Sequence, residues 1–512
     1  MKKWIIKHKA FCLIIVIAFI LRLHHLTYPV LDWHSWRQAD TASVTREYIK
    51  KGIDLLRPTY HDLSNIPSGK DNSANGYRMV EFPLFNALIA LLVRTFSFLP
   101  LVETSRILCI LASLGTICSL YLLVEKVSNK KIAILTAFTA AVLPFNVYYS
   151  RTILPEPLML FFSTSSIYFF YLFLEKKKTK YWLTSVLFHI MAILLKPFAA
   201  FLFPVYLYLS VKKYKKNIFK QTLIILYPIL IFMPFFAWRS WISQFPEGIP
   251  ANKWLLNGDN IRLKPDWFRW IFFERLTKII LGFFGPILLI ANLKERKKDF
   301  PFYLSWWIGV ILYFIVVAKG NVQHDYYQNL MIPILCISIG RGSYFFYHWL
   351  KKKLNKNLAI INTICIYGLM LFFSYNGFET KIDEYITKNL HSPNKVLGYL
   401  AKFHLSFVGI KGYYGINHYE YVDAGDAVDI LTPPNSKVIA PSFGDTMFLF
   451  QTNRTGWPIG YYIDEKISFG ATHYVSTDMD DEANELMSQY EIIEKNDKFV
   501  LIDLRKPLKN PN

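Results

Sequence analysis

The sequence predicts an α-helical polytopic membrane protein of about eleven transmembrane helices, which ends in a small extracytoplasmic α/β domain. Hydrophobic residues make up 53% of the 512 residues and charged residues only 19%, whereas soluble chains carry about 25% charged residues. The apolar residues are concentrated in long runs, and lysines cluster between the runs. This pattern excludes an ordinary soluble enzyme, a disordered chain and a disulfide-stapled secreted domain.

The charge and the cysteines exclude two further classes. A net charge of +21 is compatible with nucleic-acid binding in general, but short lysine clusters between apolar runs are typical of membrane proteins. We therefore expect a lipid bilayer and no nucleic acid as partner. Neither a disulfide framework nor a zinc site is expected, because the cysteines lie inside apolar runs without metal-type spacing: Cys12, Cys109, Cys118, Cys336 and Cys365.

Apolar runs near spanning length, roughly 17–25 residues in general, follow one another along the chain. The runs taken as transmembrane helices cover residues 4–26, 107–124, 132–149, 158–174, 182–195, 198–211, 222–242, 279–293, 302–317, 331–350 and 359–375. The first run opens with lysines, as a signal peptide does. It lacks a small-residue cleavage site before His24, so we predict a retained first helix.

The run at residues 82–99 differs from the others, since it contains Arg94 and is bounded by Pro83 and Pro100. We predict an interfacial or re-entrant helix on the outer face. All six basic clusters then fall on the cytoplasmic side, as the positive-inside rule requires. The predicted location is the plasma (inner) membrane, with the N-terminus cytoplasmic and the C-terminus outside.

The predicted domain division follows from this topology. Residues 1–375 form the membrane domain, with a first outer loop at 27–105, and residues 376–512 form the extracytoplasmic domain. That tail is long enough to bury its own core. It contains a helical stretch at 480–490 and β-like runs at 437–440, 447–450, 472–475, 490–493 and 498–504.

Polar residues crowd the first outer loop directly after the first helix: Asp32, His34, Arg37, Gln38 and Asp40. A carboxylate there could act as general base on an acceptor hydroxyl. Arg37, His34 or Gln38 could contact the phosphate or sugar of a donor. In the alternative interpretation, Trp33 and Trp36 anchor the loop at the interface and the charges only face water.

Three further charged residues lie at helix boundaries on the predicted outer side. Glu81 precedes the run at 82–99, and Arg151 and Glu156 lie in the loop 150–157. A glutamate at a helix start is favoured by the helix dipole alone. Catalytic and structural interpretations of Glu81 and Glu156 therefore stay open, and Arg151 could pair with Glu156 or with a phosphate.

Two other outer segments are candidates for donor binding. Lys196, before Pro197, is an isolated outer lysine, and the positive-inside bias favours a function such as holding a lipid-linked phosphate over simple snorkelling. The loop 319–328 carries His324, Tyr326 and Tyr327. These side chains could bind phosphate and sugar, or belong to an aromatic belt.

Taken in order, these motifs resemble the GT-C superfamily of polyprenyl-phosphate-sugar-dependent glycosyltransferases. They are Glu81-Phe82-Pro83, Pro155-Glu156-Pro157, Lys196-Pro197 and His324-Asp325-Tyr326-Tyr327. The layout over residues 2–375 is most similar to the branch of protein O-mannosyltransferases and aminoarabinose transferases. The resemblance implies an inverting transfer of a sugar from a polyprenyl-phosphate donor to an extracytoplasmic acceptor, which may be a cell-envelope glycan, a lipid or a protein.

The resemblance also implies roles for single residues. Glu81 matches the family's glutamate before the prolines, Glu156 the acidic residue of the second catalytic loop, Lys196 the cavity lysine, and Tyr326 or Tyr327 the tyrosine near the donor phosphate. A first-loop carboxylate would be the base.

The chain departs from the family pattern at two places. Arg37-Gln38 stand where the family commonly has Asp-Glu, so either Asp32 or Asp40 could be the base. Phe82 replaces a family lysine, and Arg37, Arg78 or Arg151 could take over its phosphate contact.

Other possibilities stay open on the sequence alone. No clear metal-ligand cluster is visible, although the first-loop carboxylates together with Glu156 could hold a divalent ion. A transporter or lipid-linked-sugar flippase would place charges near the bilayer midplane, often in two repeated halves, and no repeat is visible. A glycan polymerase or ligase is a third possibility.

Overall fold

The computed structural model describes residues 8–70, 75–294, 298–383 and 402–508. The chain divides into two compact units. The helical unit comprises Met1–His24, Cys109–Phe235 and Asn252–Tyr414, and the mixed unit comprises His25–Leu108, Phe236–Ala251 and Gly415–Asn512. The division at residue 375 stays a prediction. The lysines at positions 2, 3 and 7 and part of the cluster at 294–298, which oriented the chain, lie outside the described residues.

The helical unit consists of apolar helices joined by short turns. Its α-helices, including two that continue into the other unit, are Lys9–Arg22, Leu101–Val127, Lys130–Val142, Pro144–Tyr149, Glu156–Lys176, Thr179–Leu195, Phe203–Tyr214, Thr222–Ile242, Lys253–Asn257, Pro265–Phe268, Gly285–Lys294, Phe300–Val316, Ala318–Gln323, Ile332–Lys351, Lys356–Asn376 and Ile410–Tyr413. Tighter 3₁₀ turns cover Pro197–Leu202, Lys215–Lys220, Gly258–Asn260 and Asp325–Met331, and Arg269–Ile280 is a π-helix. Strands Gly377–Phe378 and Phe407–Val408 form an antiparallel pair.

The membrane-type helical fold predicted from the sequence is confirmed. Within the described residues, five helices are long and apolar enough to span a bilayer, or six if a pair bent by 111° counts as one span. About eleven spans were expected from the apolar runs. Other predicted runs contain shorter apolar helices, such as Thr179–Leu195 and Phe300–Val316, and several runs are divided into two helices.

Proline and glycine account for two of these divisions. Pro144 starts a new helix, and Leu143 before it is extended, as expected for a residue that precedes proline. Gly282 has a φ of +49°, and a Cβ at this position would lie 2.3 Å from the carbonyl oxygen of Met370. Only glycine fits there, so the run at 279–293 cannot continue as one helix.

The mixed unit contains the first outer loop together with the C-terminal segment. Its α-helices are Ser35–Lys51, Leu84–Thr95, Glu420–Leu431, Met447–Gln451, Ile463–Ser468 and Asp481–Gln489, with a 3₁₀ turn at Pro246–Gly248. The helix Leu84–Thr95 has 12 residues. At about 1.5 Å per residue it is too short to cross a hydrocarbon core of about 30 Å, which agrees with the prediction that residues 82–99 do not span.

A five-stranded sheet forms the centre of the C-terminal segment. Its spatial order is Thr455–Trp457, Lys437–Ile439, His473–Ser476, Val500–Pro507 and Tyr490–Lys495. The first three strands are parallel and the last two pair antiparallel. The predicted α/β character is therefore confirmed, and so are four of the five β-like runs and the helix at 480–490.

The β-like run at 447–450 was predicted wrongly, because Met447–Gln451 is a helix. Its residues Phe448, Leu449 and Phe450 are all buried. A short apolar run buried on all sides cannot be assigned to strand or helix from its periodicity. The short strand Thr455–Trp457 was not predicted.

Residues of the first outer loop are part of the sheet's core and edge. Leu31 packs in the cluster on one side of the sheet and Leu63 in the cluster on the other. The backbone of His61 accepts a hydrogen bond of 2.9 Å from Gly456 N, and Leu63 N donates one of 2.8 Å to Gly456 O. Asp62 and Gly456 therefore form a parallel bridge at the edge strand.

Candidate active site

Asp40 is the most constrained carboxylate of the first outer loop. It lies in the helix Ser35–Lys51 and is buried. Arg78 Nη2 donates to its Oδ2 at 2.6 Å, and Thr446 Oγ1 donates to its Oδ1 at 2.8 Å. The guanidinium of Arg78 also lies over the ring of Tyr60. Both carboxylate oxygens are thus held in a fixed orientation.

The charges around Asp40 keep it ionised. Burial raises the pKa of Asp40, but Arg78, His61 and Arg37 together outweigh burial and bring the pKa below its usual value. His61 Nδ1 lies 3.2 Å from Arg46 Nη2, which can only donate. His61 Nε2 therefore carries the proton and faces Asp40 Oδ1 at 3.9 Å.

Two neighbouring carboxyl groups have raised pKa values. Burial raises the pKa of Asp62 to about 7, and that of Asp445 to about 6. These values include the charge of Asp40, which contributes to both increases. Burial has the opposite effect on His61, whose pKa falls to about 4. Asp40 is thus the readily ionised carboxylate of this cluster, whereas burial disfavours the charged forms of His61, Asp62 and Asp445.

Arg37 and Glu81 form an ion pair, with Arg37 Nη2 donating to Glu81 Oε1 at 2.5 Å. They line a small recess, together with Asp40, Arg78 and Asn86. Arg37 reaches it from one turn before Asp40 on the same helix, and Glu81 from just before the helix Leu84–Thr95. The recess therefore brings together two carboxylates and two guanidinium groups.

The remaining first-loop candidates lie at the start of the helix Ser35–Lys51. Gln38 Nε2 donates to Asp32 Oδ1 at 2.7 Å, and both side chains are buried. His34 is the residue before the helix and has a φ of 58°, an uncommon conformation outside glycine and asparagine. Asp32 is thus held by an amide, whereas Asp40 is held by a guanidinium.

In the helical unit, Glu156 and Lys196 form a buried ion pair. Lys196 Nζ lies 3.1 Å from Glu156 Oε1, and both side chains are almost inaccessible to solvent. Glu156 Oε2 has no hydrogen-bond partner in the structure. Glu156 begins the helix Glu156–Lys176 after Pro155, and Lys196 is extended before Pro197. The two proline-bounded helix ends thus bring together residues 40 positions apart.

Arg151 is buried in the helical unit beside two tyrosine rings. Its guanidinium lies over the rings of Tyr148 and Tyr414, at 5.2 and 4.8 Å from their centroids. The ring of His24 also contacts the ring of Tyr414. Arg151 is therefore a buried cation between aromatic faces.

The last outer loop forms an aromatic stack. The ring of Tyr326 stacks on His324 and on Tyr327, with centroids 5.4 and 4.7 Å apart. Between them in sequence, buried Asp325 accepts hydrogen bonds from Tyr149 and, at 2.5 Å, from Tyr413. Arg275 Nη1 lies 3.6 Å from Asp325 Oδ2. Asp325 was not among the predicted site residues, although its place inside the histidine–tyrosine motif was a signal for it.

The sequence-based candidates thus fall into four groups in the structure. They are Asp40 with Arg37 and Glu81, Asp32 with Gln38, Glu156 with Lys196, and His324 with Tyr326 and Tyr327; Arg151 and His34 lie outside these groups. Sequence reasoning missed His61, Asp62, Asp445 and Thr446. Nothing in their local sequence pattern indicated a site, because they reach Asp40 through tertiary pairing.

Preformed metal ligation is not evident in residues 8–70, 75–294, 298–383 and 402–508, which contain no group of three or more His, Cys, Asp or Glu suited to a metal ion. Divalent cations prefer several oxygen ligands. The oxygens of Asp40 are held instead by Arg78 and Thr446. We therefore derive no chemical step through a metal.

Comparison with known sequences gives one match. A family model described as dolichyl-phosphate-mannose-protein mannosyltransferase matches residues 81–241. No curated protein sequence matches the chain. The matched segment contains Glu81, Arg151, Glu156 and Lys196.

Comparison with solved structures gives matches over nearly the whole chain. ArnT from Cupriavidus metallidurans in the apo state has a TM-score of 0.61 at 12% identity, with 98% of each chain covered. ArnT from the same organism bound to undecaprenyl phosphate has a TM-score of 0.58 at 12% identity, covering 96% of this chain and 97% of ArnT. The oligosaccharyltransferase of Archaeoglobus fulgidus in complex with zinc and sulfate has a TM-score of 0.50 at 12% identity, covering 93% of this chain and 68% of that one.

Proposed function

We propose that the chain is a glycosyltransferase of the GT-C superfamily, which its motifs, the family-model match over residues 81–241 and its fold support, and that it moves a sugar from a polyprenyl-phosphate donor to an extracytoplasmic acceptor. The proposal rests on one observation above all: a buried, ionised Asp40 faces a recess lined by two guanidinium groups. The similar ArnT structure bound to undecaprenyl phosphate supports the donor class.

We assign the general base to Asp40 rather than Asp32. A base that removes the acceptor's proton must be ionised and held in position. The pKa of Asp40 is lowered, and its two oxygens are oriented by Arg78 and Thr446. In an inverting transfer, the acceptor oxygen attacks the anomeric carbon, its proton passes to Asp40, and the bond to the lipid phosphate breaks.

Cationic side chains would stabilise the leaving phosphate. Its negative charge grows in the transition state, and preorganised cations lower the barrier most when they are already fixed. Arg37 in the mixed unit is fixed by Glu81, and Lys196 in the helical unit is fixed by Glu156; each is a candidate for this role by itself. His34, Gln38, Arg151, His324, Tyr326 and Tyr327 remain candidates for contacts to the donor's sugar or phosphate. Glu156 is the candidate for a second catalytic carboxylate.

The topology forms part of the proposal. The chain is a multi-pass membrane protein, and we propose a cytoplasmic N-terminus and an extracytoplasmic C-terminal domain from the lysine clusters. A lipid-bound donor is concentrated in the bilayer beside such a site, which supplies proximity.

The test uses membranes that contain the full-length protein. They are incubated with undecaprenyl phosphate carrying a labelled single sugar, in a panel of hexose and aminopentose donors, with envelope extract as acceptor. Release of undecaprenyl phosphate together with labelled acceptor is expected for at least one donor. The release should be lost in Asp40→Asn and kept in Asp426→Asn, a matched change at an exposed aspartate of the same unit. Transfer that persists in Asp40→Asn would overturn the base assignment, and absence of release with every donor would contradict the function.

A further inference from the structure

Asp40 receives one of its two short hydrogen bonds from the C-terminal segment. Thr446 Oγ1 donates to Asp40 Oδ1 at 2.8 Å and lies 3.3 Å from the carbonyl oxygen of Trp36. Asp40 and Thr446 are 406 positions apart in the chain. We propose that Thr446 is a positioning residue for the transfer reaction, so that the C-terminal α/β segment completes the active site.

The local structure around Thr446 supports this role. Thr446 precedes the helix Met447–Gln451, a position where a threonine side chain normally caps the helix. Here its side chain makes no capping bond. Asp445 Oδ1 instead accepts from Met447 N at 2.9 Å. The hydroxyl of Thr446 is thereby available to Asp40.

Further contacts hold the first outer loop against the C-terminal segment. Arg46, six residues after Asp40 on the same helix, donates to the carbonyl oxygen of Phe450 at 2.7 Å. The bridge between Asp62 and Gly456 fixes His61 beside Asp40. The helix and the sheet edge therefore approach Asp40 from two sides, and the Thr446 contact is not an isolated one.

The chemical consequence concerns the carboxylate's orientation and basicity. A hydrogen bond donated to an ionised carboxylate stabilises the charged form. The charged or titratable groups that interact with Asp40 are Arg37, Arg78, Tyr60, His61, Asp62 and Asp445. Removal of the Thr446 hydroxyl leaves all of them in place and takes away one neutral donor.

The first measurement is transfer by full-length Thr446→Val, which keeps the side-chain shape. This inference rests on the proposed function, so Asp40→Asn is measured in parallel. We expect kcat to fall roughly 10- to 100-fold, as for the loss of a hydrogen bond to a charged group, with KM for the lipid-linked donor unchanged. The acid limb of the kcat profile should move to higher pH. Thr446→Ser should restore both.

A matched control is Thr452→Val, at the other end of the same short helix. Thr452 is buried and donates to Leu449 O at 2.8 Å, without a contact to Asp40 in the structure. It should keep the wild-type kcat and pH profile.

A second measurement does not depend on activity. Thermal unfolding in detergent should show that Thr446→Val and Asp40→Asn are non-additive, whereas Thr452→Val and Asp40→Asn are additive. Normal kcat in Thr446→Val with an inactive Asp40→Asn would overturn the inference alone. Normal transfer by Asp40→Asn would instead contradict the proposed base. Additive effects of Thr446→Val and Asp40→Asn would also overturn the inference.

Discussion

Lys196 and Glu156 neutralise each other in a buried pair, with 3.1 Å between Nζ and Oε1. Each lies at a proline-bounded helix end, and the loss of Lys196 removes the cation that pairs with buried Glu156. Breaking a buried pair typically costs about 3–5 kcal/mol, whereas replacing both members with neutral residues is often tolerated. The pair therefore allows a structural role to be separated from a role in donor binding.

We expect Lys196→Met to lower both the melting temperature and transfer, because Glu156 is left buried and unpaired. The double variant Lys196→Met/Glu156→Gln should recover the melting temperature but not the activity. Differential scanning fluorimetry and the transfer assay measure the two effects. If the double variant transfers sugar at the wild-type rate, Lys196 does not contact the donor phosphate.

Arg37 is expected to be required for transfer. Arg37→Ala should lower kcat by at least about tenfold, since a charge-assisted contact to the leaving phosphate is lost. Glu81→Gln should have a smaller effect, because the guanidinium charge stays in the recess. Arg57→Ala is the matched control: Arg57 is exposed in the same unit and pairs with Asp54. Equal activity of Arg37→Ala and Arg57→Ala would contradict the assignment.

His61 and Asp62 should make opposite contributions to the pH dependence of stability. The pKa of His61 is lowered to about 4, so its contribution to the free energy of unfolding is present above pH about 6.5 and is lost as the pH falls toward 4. The pKa of Asp62 is raised to about 7. Its contribution is present below pH about 4 and is lost as the pH rises toward 7.

The two effects nearly cancel in the wild type between pH about 4 and 6.5. In Asp62→Asn the histidine contribution is no longer offset by Asp62, so the slope of melting temperature against pH should become more positive than in the wild type over this range. In His61→Asn the slope should become more negative than in the wild type. Melting curves at four pH values test both signs, and identical slopes in the two variants would refute the assignment.

The hydrogen bonds to Asp325 should stabilise the helical unit. Tyr413→Phe removes a hydroxyl that donates to this buried carboxylate at 2.5 Å. We expect a loss of about 1.5–3 kcal/mol, the range for hydrogen bonds to charged groups. Tyr375→Phe is the control, since Tyr375 is exposed. Equal melting temperatures of the two variants would show that the bond contributes nothing to stability.

Sequence patterns predict those parts of this molecule that depend on near neighbours. Apolar runs predict helices, and prolines beside Glu156 and Lys196 mark the helix ends where both residues lie. The pairing of Arg37 with Glu81 joins two motifs that the sequence identified separately. No periodicity relates Asp40 to Arg78, and hydropathy alone does not show the breaks at Leu143 and Gly282, because both lie inside continuous apolar runs.

Residues that meet only through tertiary packing are beyond such prediction. Thr446 and His61 reach Asp40 only because a short helix and a sheet edge pack on the first outer loop. Residues 447–450 were predicted as a strand, whereas Met447–Gln451 is a helix. The direction of the Thr446 side chain could therefore not be predicted. A single sequence contains the residues of this arrangement but not their tertiary pairing.

The 406 positions between Asp40 and Thr446 also have a consequence for biosynthesis. Chains are made from the N-terminus, and long-range contacts form late in folding. The first outer loop is synthesised early, yet its carboxylate stays without this partner until nearly the last ribosomal steps are complete. A chain that ends before Thr446 would therefore lack this hydrogen bond to Asp40.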